Sequence, residues 1–99
     1  MHQSPLSSAQ LVTATSEQLS SQLGDETVVL SLKTGIYYGL NPVGARVWEL
    51  VQEGPATVGN IREQILAEFD VNEHVLENDL RELLAILQSE GLIQISTRN

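Results

Sequence analysis

The sequence predicts an α+β fold: a three-stranded antiparallel meander at its N-terminal side, followed by three helices. Three observations point there. Between residues 26 and 40 apolar side chains alternate with a period of two. From residue 42 to residue 89 they recur with a period near 3.6. The change happens once, so strands precede helices, and a chain of 99 residues has room for a single small domain.

Residues 1–10 are polar and rich in Ser and Gln, and read as a flexible lead-in before a domain at 11–95 and a short tail at 96–99. Residues 11–15, with Val12, Thr13 and Thr15, are β-branched enough for a short strand. Residues 16–24 read as a loop or a single helical turn, with Leu19 and Leu23 four apart. Residues 26–32 form a clear strand, and 36–40 (Ile36, Tyr37, Tyr38, Gly39, Leu40) form another. Lys33-Thr34-Gly35 between them suits a three-residue hairpin loop with Gly at the left-handed position. In that register Leu32 faces Ile36, Leu30 faces Tyr38 and Val28 faces Leu40, giving one apolar face.

Asn41-Pro42 then supplies an N-cap and a proline at the first helical position. Val43, Val47, Trp48, Leu50 and Val51 make the buried stripe of a first helix, which stops before Gly54-Pro55. A second helix covers about residues 58–69, with Asn60 and Glu63 at capping-box spacing. A third runs from Glu73 to Ser89, ends at Gly91, and is followed by an extended tail at 92–95. Three helices closed by a brief extended tail resemble a winged helix-turn-helix, a likeness of scaffold that assigns no function.

Composition narrows the chemistry. There is no cysteine, hence no disulfide framework and no thiolate metal site. No apolar run approaches the roughly 20 residues that span a bilayer, and no signal-peptide pattern opens the chain, so a cytoplasmic protein is expected. Thirteen acidic against five basic residues give a net charge of −8, which repels phosphate backbones and anionic lipids. Neither nucleic acid nor membrane is expected as a partner. His2 lies in the lead-in and His74 on a polar helix side near Glu77 and Asn78. The carboxylates are spread over helix surfaces, with Glu77 and Arg81 in favourable i, i+4 order. No nucleophile–base pair, acid/base dyad, phosphate loop or metal-ligand spacing emerges, so neither catalysis nor a cofactor is expected.

The third helix carries more apolar surface than one packing partner requires. With Val75 at zero on a rotation of about 100° per residue, Leu76, Leu80, Leu83, Leu84 and Leu87 fall between about 80° and 180°. Val75 and Ile86 lie near 0° and 20° on the same rotation, with Asp79 between them and Leu83. This second flank is about 16 Å long at 1.5 Å per residue, the length of an extended segment of about five residues. It faces either a guest or the rest of the monomer. The strand 36–40 comes last in the meander and holds neither proline nor charge, the devices that normally protect a sheet edge. A bare edge beside an apolar helix flank is the layout for β-strand addition of a peptide, and Gly39 would allow a close backbone approach.

The run from Leu30 to Leu50, with Gly35-Ile36-Tyr37-Tyr38-Gly39-Leu40-Asn41-Pro42 and Trp48, resembles the signature of the PqqD family. Gly54-Pro55, Thr57-Val58, Val71, Asp79-Leu80, Leu83, Leu87 and Gly91-Leu92-Ile93 extend the resemblance to about residues 26–95. Within the family the chain looks most like the free-standing leader-peptide recognition element of lasso-peptide biosynthesis. That resemblance implies a non-catalytic module binding a precursor's leader between the third strand and third helix, for a separate leader peptidase and then an ATP-dependent cyclase. Carried over by position, the peptide-binding residues are Ile36, Tyr37, Tyr38, Gly39 and Leu40 on the strand. On the helix they are Val75, Leu76, Asp79, Leu80, Leu83, Ile86 and Leu87. Two other readings compete: a PqqD-type peptide chaperone serving a radical modifying enzyme, and a winged-helix DNA regulator, which would want a more basic third helix than one holding only Arg81.

Overall fold

The computed structural model describes residues 8–24 and 26–96. Most of the expected lead-in and tail therefore lies outside the described residues. In chain order the elements are β1 (Leu11–Ala14), β2 (Gln18–Leu23), β3 (Glu26–Ser31), β4 (Tyr37–Leu40), α1 (Pro42–Gln52), β5 (Ala56–Thr57), α2 (Val58–Glu68), α3 (Glu73–Ser89) and β6 (Ile93–Ser96). The strands form two antiparallel sheets, β2–β3–β4 and β5–β1–β6. The α+β class, with an N-terminal antiparallel meander and three helices, is as the sequence predicts.

Local chemistry sets the helix ends. The Asn41 side chain accepts a hydrogen bond from the Gly44 N–H at 2.8 Å, and Pro42 opens α1. The Asn72 carboxamide oxygen accepts from His74 and Val75 N–H, starting α3. Gly91, at a φ of +77°, turns the chain out of α3 into β6. The cap of α2 differs from the Asn60–Glu63 expectation: Thr57 accepts from the Asn60 N–H at 3.1 Å. Ser8 and Gln10 run along that same helix start, their carbonyls accepting from Gly59 and Val58 N–H.

Three further expectations are corrected. Residues 18–23, read as loop or turn, are a strand paired with β3 from Gln18↔Ser31 to Leu23↔Glu26. Its side chains are nearly all exposed, so burial left no alternation to read. Second, residues 11–14 form a strand outside the meander, joined to β6 in the other sheet from Leu11↔Ser96 to Ala14↔Ile93. Third, the β3–β4 hairpin is shifted by one: Leu30 pairs with Tyr37, Val29 with Tyr38 and Thr27 with Leu40. The loop therefore has four residues, Leu32 to Gly35, closed by Ser31 N–H donating to the Ile36 carbonyl at 3.0 Å. One step of register moves a whole strand face. Val29 and Ser31 are buried with Leu40, while Val28 and Leu30 turn outward.

A single core joins the layers. Val12, Val29, Leu40, Val47, Trp48, Val51, Ile61, Ile65, Leu76, Leu80, Leu84, Leu87, Leu92 and Ile93 belong to it. Within it α1 packs against β1, β3, β4 and α2, whereas α3 leans on α2 and β6. Because α3 and β4 are each held by other elements, a groove remains between them.

Candidate functional site

The groove begins with the free edge of β4. Ser31 and Ile36 exchange the hairpin's closing bond, so Ser31, Val29 and Thr27 direct their backbone groups at Ile36, Tyr38 and Leu40. By antiparallel alternation, Tyr37 and Gly39 turn their N–H and C=O groups to the other side. No described strand pairs there: β6 joins β1 instead, and β4 ends its sheet. The edge has neither charge nor proline to discourage a newcomer.

Beside it lies a cavity of about 350 Å³ lined by β4, the start of α1 and one face of α3. Buried Leu40, Val47, Leu76 and Leu80 lie deepest, with half-buried Val43 and Leu83 above them. Asp79, Glu82 and Ile86 complete the α3 side, all exposed. Gly44 brings the first turn of α1 close to Leu40: a Cβ there would sit 3.2 Å from Asn41 Oδ1 and 3.6 Å from Leu40 Cβ.

The sequence-derived residues separate into three groups. Gly39, Leu40, Leu76, Asp79, Leu80, Leu83 and Ile86 line the cavity together. Ile36, just before β4, and Tyr37 and Tyr38 within it do not line the cavity. Tyr37, 68% exposed, stands on the opposite sheet face in one row with Leu30 and the exposed Leu19. Tyr38 is half-buried; burial, then the hydrogen-bonding and charge of nearby Glu90, push its hydroxyl above the ordinary 10.0. Val75 is 55% exposed on the helix flank, beyond the cavity lining. Leu87 is buried in the core and does not reach the groove. The exposure of Val75, Asp79 and Ile86 means that this flank is not spent on packing within the described chain.

Sequence reasoning missed Asn41, Val43, Gly44, Val47 and Glu82. In the sequence Val43 and Val47 read as part of the core stripe of α1. The available signal was Gly44: a glycine in the first turn of a helix, next to Leu40, marks a close approach of backbone and strand. Elsewhere, no group of three or more His, Cys, Asp or Glu residues among the described residues could hold a metal ion. No described helix is long and apolar enough to cross a membrane.

Comparison with known proteins places this geometry in context. None of the curated proteins matches the chain. Among solved structures, it is similar to one described as TbiB1 in complex with the TbiA(beta) leader peptide, with a TM-score of 0.72 and 36% identity, covering 83% of this chain and 94% of that one. It also has the fold of one described as lasso peptide synthetase B1 complexed with the leader peptide, with a TM-score of 0.69 and 20% identity, covering 84% and 96%. A family model described as Coenzyme PQQ synthesis protein D (PqqD) matches residues 26–93, a span holding β3, β4 and all three helices. The chain belongs to the PqqD family.

Proposed function

We propose that this protein is a non-catalytic adaptor of lasso-peptide biosynthesis that binds the leader of a ribosomally made precursor. The leader lies as an added strand on β4, bonded to the outward N–H and C=O groups of Tyr37 and Gly39. Alternate side chains enter the groove between β4 and α3. The observation that carries this reading is the coincidence of an unpaired, unprotected strand edge with an apolar groove. The 36% identity to TbiB1, described in complex with a leader peptide, supports it. The bound precursor is then handed to a separate leader peptidase, and an ATP-dependent cyclase follows.

The test is titration of a fluorescein-labelled TbiA(beta) leader, followed by anisotropy. Gly39→Pro removes one edge donor at a position where proline is tolerated in a strand, and Leu83→Asp puts a charge in the groove wall. Each weakens binding about tenfold or more, since each removes a hydrogen bond or an apolar contact of the order of 1.4 kcal/mol. Wild-type affinity in both folded variants sinks the proposal. The family's own description, a coenzyme PQQ synthesis protein, favours a second reading as a peptide chaperone for a radical modifying enzyme. Which large protein co-purifies with the chain, peptidase or radical enzyme, separates the two.

A further inference from the structure

The groove is apolar at depth but its α3 rim is not. Asp79 projects from a flank otherwise made of Val75, Leu76, Leu83 and Ile86, and Glu82 lies one turn further along on the same side. Both carboxylates are exposed, and neither makes an ion pair among the described residues. Two of the described cations are engaged elsewhere. Arg46 holds Glu49 and Glu68, Arg62 holds Glu77, and among the described residues no basic one lines the groove. A carboxylate left on an apolar strip beside an open strand edge, on a molecule of net charge −8, favours a cation and repels an anion.

Resting on the peptide-binding reading above, we infer that the groove selects for charge as well as apolarity. Its guest carries a lysine or arginine among the side chains that point inward, and Asp79 reads it with Glu82 beside it. The long stem of such a residue suits the position. Its methylenes lie along Leu76 and Leu83 while the charged head reaches the rim. Aliphatic residues two positions away along the guest fill the space toward Leu80 and Ile86, because inward side chains of a strand recur every second residue.

The test uses the full chain and a fluorescein-labelled nonapeptide of alternating Leu and Thr, in which each Leu in turn is replaced by Lys, by norleucine or by Glu. Norleucine keeps the stem of lysine without the charge. At one position Lys binds about tenfold more tightly than norleucine and Glu binds more weakly than either, as a charge-assisted contact predicts. That preference disappears in Asp79→Asn, turns toward Glu in Asp79→Lys, and shrinks when salt rises from about 50 mM to about 500 mM. If peptides bind but Lys and norleucine are equivalent at every position, the charge selection is overturned while peptide binding stands. The same holds if Asp79→Asn weakens both equally. If no nonapeptide binds and the TbiA(beta) leader does not either, the peptide-binding reading falls and this one with it. If the leader alone binds, the selection is decided by the same Lys, norleucine and Glu replacements made within that leader.

Discussion

Ser31 decides how β3 is turned. Its hydroxyl donates to the Glu90 carbonyl at 2.9 Å and accepts from the Thr34 N–H at 3.2 Å, and the residue is wholly buried. Those two bonds make a polar side chain acceptable inside, where otherwise its desolvation would be uncompensated. Replacing it by alanine leaves a carbonyl at the end of α3 and an N–H in the hairpin loop without their partner. Ser31→Ala should lower the unfolding free energy by about 1–3 kcal/mol, measured by urea denaturation. A variant as stable as wild type would mean that the two Ser31 bonds add nothing net to stability. The same residue is why the hairpin register was not legible in the sequence. Alternation rules put serine outside, and the partner that puts it inside comes from a residue 59 positions away.

A two-bonded ion pair ties α1 to α2 at the surface. Arg46 of α1 grips Glu68 of α2 along one edge of its guanidinium, Nε to Oε1 at 2.8 Å and Nη2 to Oε2 at 3.1 Å. The bonds from Arg46, then one from Gln64, hold the Glu68 carboxyl below its ordinary 4.5. A carboxyl whose folded-state value is depressed adds stability above the unfolded value and loses it as pH falls through the folded one. The melting temperature should therefore decline as the solution is acidified below about pH 4.5, and decline less in Glu68→Gln. Equal acid sensitivity in both proteins would show the pair to be idle, as many exposed pairs are. Helices were the legible elements, since Asn41-Pro42, Asn72 and Gly91 carry their own end signals in single residues. β2 was not, because a strand exposed on nearly every side chain gives no periodicity, and only its pairing with β3 defines it.

At the scale of the molecule the two sheets have different duties. β1 and β6, near opposite ends of the chain, clasp each other over four residue pairs, and Val12 fills the core from β1. The family match begins at residue 26, beyond both β1 and β2. A protein reduced to 26–93 should not unfold cooperatively, because Ile93 and Leu92 lose the strand and side chain that cover them. Circular dichroism during heating checks this, and a sharp transition would mean that helix packing suffices alone. The groove was half legible. The α3 flank betrayed itself by its surplus width, but the α1 contribution did not, because Val43 and Val47 serve core and groove at once. Tyr37 has a last consequence. It points away from the groove, in line with Leu30 and Leu19, while its backbone offers the bonds along the edge. Any strand that docks there turns only every second side chain into the groove. In the proposed complex, the side chains that do not enter the groove stand on the same sheet face as that tyrosine, open to solvent.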